Sequence, residues 1–357
     1  MLKKYFKDTV IVSIGQLLVR AQTFILMPLI IKNSGIDVYG DFVLVITFFY
    51  FLTGLSSLGV GTLYKRLLPS TEKKNKKQNL FYSQFIFHLF FVLLLSVIIY
   101  LSENILKIAV FDNKINFNII NPLIFLILNI ILGQLTNYFR FSSKIIPYTL
   151  SMTITPYLIL LGIFYSLNIV ELNVDNLIII HNISFSIVII FMTYFVIKDL
   201  GFNINFLNNY NFKRDIKIGL PLILIFLTQS LVSSSDRYII LHFLSSKEVG
   251  EYSVSYSIGS LILFIPMIIG VVLQPLLAKI QDSNQSQLKN DFMLKTLKSF
   301  LLLCIPFIFG SLALGNEIFN IFAGDSNNPN NVYIIAILAL SALFNGLILI
   351  YNELLFV

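Results

Sequence analysis

Charged residues are scarce in this sequence of 357 residues, because Lys, Arg, Asp and Glu together make up only 12% of the chain. Apolar residues make up 57%, and the mean hydropathy is +0.84. A water-soluble protein of this length needs more polar surface than that to cover its core. The composition therefore excludes the soluble globular classes and indicates a chain that lies in lipid.

Cysteine is almost absent, and tryptophan is entirely absent. Cys304 is the single cysteine, so no intramolecular disulfide and no cysteine metal site can form. The sequence also lacks a Walker P-loop, a Cys-x-x-Cys pair and a metal-spaced pair of histidines. We therefore expect no cofactor, no metal and no ATP-driven mechanism.

Long apolar runs are what the sequence does contain. Ten of them approach the roughly 20 residues that a helix needs to cross a bilayer. They lie at about 9–31, 40–63, 80–101, 119–140, 145–167, 176–197, 217–243, 250–278, 299–323 and 331–353. The expected fold is an all-α, polytopic integral membrane protein.

The basic residues predict an orientation for these spans. The N-terminus and every second connection hold 19 Lys and Arg residues, whereas the alternate connections hold four. The positive-inside rule then places the N-terminus in the cytoplasm. Clusters that lie between apolar runs are also unlike a nucleic-acid-binding face, so we expect no nucleic-acid partner despite the net charge of +7.

A weak internal repeat has an offset of 210 residues. The segment 38–42, Val-Tyr-Gly-Asp-Phe, corresponds to 249–252, Val-Gly-Glu-Tyr, which superposes Gly40 on Gly250 and Asp41 on Glu251. Transporters often descend from duplicated helix bundles. The offset predicts two lobes of the same orientation, with residues 1–200 as a six-helix lobe and residues 201–357 as a second lobe.

Several segments together resemble a known family in their order and spacing. They are Ser-Ile-Gly-Gln at 13–16, Tyr-Gly at 39–40, Leu-Gly-Val-Gly at 58–61, Gly-Leu-Pro at 219–221, Ser-Asp-Arg-Tyr-Ile-Ile at 235–240, Val-Gly-Glu-Tyr-Ser-Val-Ser-Tyr at 249–256 and Gln-Pro at 274–275. The set is similar to polysaccharide biosynthesis flippases of the multidrug/oligosaccharidyl-lipid/polysaccharide exporter superfamily.

The resemblance implies a transporter of two six-helix lobes in the bacterial cytoplasmic membrane. Such a flippase moves polyprenyl-diphosphate-linked oligosaccharide by alternating access, for O-antigen or capsule synthesis. Implied partners are membrane lipids, a coupling ion (H⁺ or Na⁺) and polysaccharide assembly proteins. The family usually has twelve or more spans, so we expect the second lobe, with four, to be shortened.

Arg20 is the most conspicuous polar residue of the first span. Ser13, Gln16, Arg20 and Thr23 recur at helical spacing, so they share one face. A cation in a span requires an anion or water. Arg20 is therefore a candidate contact for the diphosphate or an acidic sugar, with Gln16 beside it. A structural Arg paired within the bundle is the alternative.

Other polar residues form a second group of candidates. In the seventh span Gln229, Ser233 and Arg237 follow one face, and the adjacent Asp236 points elsewhere. Arg237 and Gln229 are cavity candidates, whereas Asp236 is a structural or coupling candidate. Gln134 and Asn137 are further cavity candidates, and His88, near Gln84, is a structural or coupling candidate. Polar glue between helices is the alternative for these residues.

Two other functions remain open at this point. A multidrug exporter of the same superfamily needs an acidic residue deep in the membrane, and Asp236 is the only carboxylate placed comparably to Arg20. A membrane-embedded glycan polymerase or glycosyltransferase needs a large outer loop or an Asp-x-Asp motif, and the sequence has neither. We therefore expect a transporter with no catalytic residues.

Overall fold

The computed structural model describes residues 2–56, 68, 71, 73–142, 144–202, 212–266, 286–324 and 330–355. These residues form helices joined by turns and short irregular connections, and no strand occurs among them. The helices are α1 Leu2–Ser34, α2 Ile36–Ser56, α3 Lys74–Leu101, α4 Glu103–Phe111, α5 Ile120–Phe141, α6 Ile145–Ser166, α7 Val174–Leu200, α8 Phe212–Phe243, α9 Ser246–Gly259, α10 Ser286–Ala323 and α11 Asn331–Leu355. A 3₁₀ turn, Ser260–Leu263, follows α9.

Within the described ranges, nine helices are long and apolar enough to cross a membrane. They correspond to nine of the ten spans that the sequence predicts. The other, 250–278, begins as α9 and the 3₁₀ turn, and its part from residue 267 lies outside the described residues. The part of the second predicted span after residue 56 lies outside them too. The prediction of an all-helical, polytopic membrane protein is confirmed.

Glycine in a left-handed conformation follows three of the helices. Gly35, Gly201 and Gly324 have φ of 92°, 77° and 79°, and each comes directly after the last residue of its helix. Each amide donates to the carbonyl oxygen four residues earlier, at 2.9, 2.7 and 2.9 Å. A residue without Cβ adopts this conformation at little cost and ends the helix.

The described residues cluster into two compact units. The larger is Leu18–Gly250. In it, α5 packs against α2, α3, α6 and α7, and α2 also packs against α8. Its main apolar core contains Leu68, Leu80, Phe81, Leu135, Tyr138, Phe139, Val188, Met192, Val196 and Leu200. The predicted division into residues 1–200 and 201–357 stays a prediction.

The smaller unit consists of Met1–Leu17 with Glu251–Val357. Its core joins α10, α11 and the 3₁₀ turn, and the buried side chains are Ile262, Phe300, Cys304, Ala342, Leu343 and Ile350. At Gly346 an added Cβ would lie 2.3 Å from the Phe300 ring. A larger residue at this position would therefore displace the Phe300 ring.

The outward faces of the spans are apolar. Val232 and Leu101 are each 80% exposed, and Ile190 is 73% exposed. Apolar surface of this extent is unfavourable in water but matches hydrocarbon, which supports placement of the helices in a bilayer.

Helix α4 lies in the connection between the predicted spans 80–101 and 119–140. Its nine residues are too few to span a membrane, so the length criterion missed it. Leu106 and Phe111 are buried, whereas Ile105 and Ile108 are exposed. This pattern is typical of a short helix that lies along a surface.

The two glycines of the repeat, Gly40 and Gly250, lie in a reciprocal close contact within the larger unit. A Cβ on Gly40 would lie 2.0 Å from the Ser246 carbonyl oxygen, and one on Gly250 would lie 2.2 Å from that of Ile36. The two glycines of this reciprocal contact are 210 residues apart, which is the offset of the repeat in the sequence. The glycines let α2 and α9 approach closely, as small residues do between membrane helices. We call this end of the unit the Gly40 end.

Replacing Gly40 or Gly250 by Ala should destabilise the protein, because the new methyl group would overlap a backbone oxygen. Overpacking of this kind typically costs about 1–3 kcal/mol. The thermal midpoint, followed by size-exclusion chromatography after heating, should fall. Gly133→Ala is the matched control, since a Cβ there has no neighbour within 4 Å. Equal midpoints for all three variants would contradict the contact.

Candidate functional site

The polar face of α1 contains the first candidates. The Gln16 side chain is half-buried, and its Oε1 is buried without a hydrogen-bond partner among the described residues. Arg20 is exposed, and no salt bridge found among the described residues includes it. Thr23, one turn further, donates to the carbonyl oxygen of Val19 at 3.2 Å. The Thr23 hydroxyl is therefore hydrogen-bonded within its own helix, whereas the Arg20 guanidinium has no such bond among the described residues.

Arg237 and Asp236 lie in α8, the helix that corresponds to the seventh predicted span. Arg237 is 9% exposed, and its Nη1 donates to the Ser233 carbonyl oxygen at 3.2 Å. The same nitrogen lies 3.8 Å from Asp236 Oδ1, which is a loose ion pair. Gln229 and Ser233 are exposed on the same face of α8 as Arg237.

The structure brings two further candidates together between α3 and α5. Gln134 Nε2 lies 3.1 Å from His88 Nδ1, and that ring nitrogen lies 2.7 Å from the Gln84 carbonyl oxygen. His88 is fully buried, so this is a hydrogen-bonded cluster inside the larger unit. Asn137, one turn after Gln134, is half-buried. These contacts fit polar glue between helices.

A cavity of about 300 Å³ lies beside a second face of α8. It is bounded by α2, α4 and α8 and is almost wholly apolar, with a few hydroxyls. The lining residues are Phe48, Phe51, Val110, Ser230, Leu231, Ser234, Ser235, Tyr238 and Ile239. We call Gln229, Ser233 and Arg237 the polar stripe of α8. Ser230, Ser234 and Tyr238 each come one residue after a member of the stripe, so the two faces of α8 differ by about 100°.

Contacts that sequence reasoning missed connect the Gly40 end to α8. Lys114 Nζ donates to the carbonyl oxygens of Leu241, His242 and Leu244 at 2.7, 3.1 and 3.3 Å. A cation at these carbonyls satisfies the end of a helix and its dipole. Because the partners lie about 130 residues apart in sequence, no local signal could reveal them.

An unusual turn positions Lys114. Asp112 and Asn113 both have positive φ, 53° and 54°, which these residue types tolerate better than most. Asp112 Oδ2 lies 3.0 Å from Lys114 Nζ and 3.8 Å from His242 Nδ1. The hydrogen bond from Lys114 lowers the pKa of Asp112, and attraction to Lys114 and His242 adds to this effect.

Asp41, in the second span, was also not among the candidates. Its Oδ1 is buried without a hydrogen-bond partner in the described part of the chain. The Ser246 hydroxyl lies within hydrogen-bonding reach of the carboxylate, next to the contact of Gly40 with α9. The repeat was the signal that pointed to this position, because it superposed Asp41 on Glu251.

Comparison with known proteins gives one family. A family model described as "Polysaccharide biosynthesis protein" matches residues 36–329. None of the curated proteins compared with the sequence matches it.

Solved structures share the fold. The chain superposes on the MATE multidrug transporter DinF-BH with a TM-score of 0.64 at 16% identity, covering 99% of this chain and 83% of that one. A mutant of the Vibrio cholerae MATE transporter VcmN gives a TM-score of 0.65 at 14% identity, and the match covers 99% of this chain and 83% of that one. The lipid II flippase MurJ, in an inward closed conformation, gives a TM-score of 0.60 at 17% identity, and the match covers 97% of this chain and 76% of that one. Identities this low establish the fold alone.

The Asp112 contact with Lys114 makes stability depend on pH. Since the folded state lowers the pKa of Asp112, the contribution is present above the unfolded pKa of about 4 and is lost as pH falls through the folded value. We expect the thermal midpoint of the wild type to be higher than that of Asp112→Asn at pH 7. The difference between the two midpoints should disappear as the pH falls below about 4. Asn tolerates the same backbone conformation, so the variant isolates the charge. A gap that stays constant down to pH 3 would contradict the ion pair.

Proposed function

The chain belongs to the polysaccharide biosynthesis protein family, and from this premise we propose that it is a flippase for lipid-linked oligosaccharide. The cargo is a polyprenyl-diphosphate-linked repeat unit, which the protein moves across the bacterial cytoplasmic membrane for O-antigen or capsule synthesis. The family match bears out the resemblance read from the sequence, and the shared fold of MATE transporters and MurJ is that of membrane transporters.

The two unlike faces of α8 carry this proposal. One face bounds an apolar cavity, and the next carries Gln229, Ser233 and Arg237. A lipid-linked sugar has an apolar chain and a hydrophilic, anionic head, so it requires both kinds of surface along one path. In this account the apolar face contacts part of the isoprenoid chain, and the polar stripe contacts the head group.

Arg20 supplies the second part of the argument. A guanidinium that is exposed on a span, without a carboxylate partner among the described residues, suits a passing anion. Its planar fork matches the oxygens of a diphosphate, and Gln16 adds an amide on the same face. We propose that Arg20 and Arg237 are the cationic contacts of the cargo.

A multidrug exporter remains the second candidate, because two of the similar structures are multidrug or MATE transporters. Asp41 favours it, since a half-buried carboxylate in a span suits a cationic drug or a coupling proton. Two arginines on polar span faces favour an anionic cargo instead. The coupling ion, H⁺ or Na⁺, is part of the proposal, with Asp236 and His88 as candidate coupling residues.

Arg20→Gln should reduce flipping of lipid-linked oligosaccharide by about tenfold or more, because a charge-assisted contact is worth about 1.5–3 kcal/mol. Arg20→Lys should recover part of the rate, since an ammonium keeps the charge but loses the fork. Transport is measured in vesicles that contain the purified protein. The folded yield should not change, because the side chain is exposed.

Lys32→Gln is the matched control for Arg20→Gln. It removes one exposed positive charge from the last turn of the same helix and should leave transport unchanged. Wild-type flipping by Arg20→Gln would eliminate Arg20 as a cargo contact. A parallel loss of yield and activity would instead assign it a structural role.

The predicted orientation places the Gly40 end outside the cell. In a Cys304→Ala background, Asn116→Cys should react with an impermeant maleimide in intact cells, because Asn116 is exposed at that end. Lys74→Cys, at the opposite end, should react only after the cells are permeabilised. The reverse pattern would overturn the orientation.

A further inference from the structure

The ends of four helices meet at the end of the larger unit opposite to the Gly40 end. Here α3 and α6 begin, and α5 and α7 end. Gln78 Nε2 donates to the Leu200 carbonyl oxygen at 2.7 Å, and the Tyr82 hydroxyl donates to that of Gly201 at 2.8 Å. These bonds hold α3 against the end of α7. We call the surface around these four helix ends the basic end.

The charge of the basic end is strongly one-sided. Among its described residues, one carboxylate, Asp199, stands against seven cations. They are Lys73, Lys74, Lys76, Lys77, Arg140, Lys144 and Lys198. At the Gly40 end of the same helices, Lys107 and Lys114 are both paired with carboxylates. The excess of positive charge is therefore confined to one end of these four helices.

Asp199 cannot neutralise the basic end. Its Oδ1 lies 2.5 Å from Lys144 Nζ, and the Tyr138 hydroxyl donates to its other oxygen. Both oxygens of Asp199 are thus already in contact with a partner, one with Lys144 and the other with Tyr138. In the described part of the chain, no carboxylate forms a salt bridge with the other six cations.

The lysines of α3 also repel one another. Within α3, Lys74 and Lys77 are three residues apart, the spacing at which helical side chains are neighbours, and Lys73 directly precedes the helix. The first turn of α3 contains no acidic residue. Like charges at this spacing are unfavourable, and the partial positive charge of a helix start increases the cost. An external anion would remove that cost.

Arg140 is held in place although it is exposed. Its guanidinium carbon lies 5.5 Å from the centre of the Phe141 ring and 5.7 Å from that of Tyr148. Contacts over aromatic faces orient the group without neutralising its charge. Arg140 therefore keeps its capacity to bind an anion at this surface.

Apolar side chains are exposed next to these cations. Ile146 lies two residues after Lys144, Ile197 directly precedes Lys198, and Phe202 follows Gly201; they are 59%, 42% and 71% exposed. A ligand for this surface thus needs both an anionic group and hydrocarbon. A phospholipid of the adjoining leaflet has both.

We propose that the basic end binds the head groups of anionic phospholipids such as phosphatidylglycerol. The phosphates lie among Arg140, Lys144 and the α3 lysines, and the acyl chains run along the exposed apolar residues beside them. The lipid supplies the negative charge that the protein lacks here. This inference depends neither on the proposed cargo nor on which leaflet is cytoplasmic.

Orientation during insertion also uses basic residues, but it makes different predictions. Orientation depends only on the number of positive charges near the span ends, so it predicts that the inserted protein has no preference for any lipid. Lipid binding requires a local preference for phosphatidylglycerol at the basic end, which salt should weaken. The two accounts can therefore be separated in the reconstituted protein.

The absence of tryptophan makes a clean test possible. Ile146→Trp introduces a single tryptophan at the basic end, and Ile105→Trp introduces one on α4 at the opposite end; excitation at the red edge of the absorption band selects tryptophan over the 17 tyrosines. The full chain is reconstituted in vesicles of phosphatidylcholine that contain dibrominated phosphatidylglycerol or dibrominated phosphatidylcholine as quencher. Because the vesicles contain no lipid-linked oligosaccharide, the quenching reports phospholipid alone.

We expect phosphatidylglycerol to bind beside position 146 about fivefold more strongly than phosphatidylcholine, and about equally beside position 105. Raising NaCl from 0.1 to 1 M should reduce the preference, since the screening length falls from about 10 to about 3 Å. Equal quenching by both lipids at 146 would overturn the proposal. So would the same preference at both positions, because that reports only the net charge of the protein.

Lys74→Gln with Lys76→Gln should lower the preference at position 146 by at least half. The matched pair Lys32→Gln with Lys247→Gln removes two exposed positive charges elsewhere and should leave the preference unchanged. Equal effects of the two pairs would contradict a local site. If Ile146→Trp does not fold, Phe202→Trp is a second reporter at an exposed aromatic position of the basic end.

Discussion

The lack of water in the hydrocarbon core is the constraint on which this structure depends. A polar side chain in a span has to find a partner in its own helix, in a neighbouring helix or in a wet cavity. Many hydroxyls use their own helix: Ser96 donates to Val92 and Ser184 to Ile180, at 2.7 and 2.8 Å. Arg20 has no such solution among the described residues. In the proposed mechanism, water or the anionic cargo meets this side chain.

The fold was largely predictable, because the thickness of the bilayer sets the length of each spanning helix, and the length of an apolar run can be read locally in the sequence. Helix α4 was missed since it lies along a surface, and the Lys114 contact was missed since its partners are distant in sequence. The site was less predictable. The sequence selected Gln134 and His88, which the structure joins, but it could not show that Asp41 lies beside Ser246. Roles for Arg20, Gln16, Arg237, Gln229 and Asn137 stay predictions.

Several contacts hold helices together at the Gly40 end of the larger unit. Gly40 and Gly250 allow α2 and α9 to touch, Lys114 holds the last carbonyls of α8, and the Tyr238 hydroxyl donates to the Leu44 carbonyl oxygen at 3.0 Å. In the proposed mechanism a head group passes this end only when these contacts separate. None of these residues belongs to the apolar core around α5.

The central claim is that the cargo is anionic and lipid-linked, and transport by the reconstituted protein tests it most directly. Vesicles would be loaded with polyprenyl-diphosphate oligosaccharide in one leaflet, and its arrival in the other would be followed with an impermeant lectin. A cationic dye would be offered to the same vesicles. The account predicts protein-dependent movement of the glycolipid and none of the dye. Transport of the dye without movement of the glycolipid would contradict it.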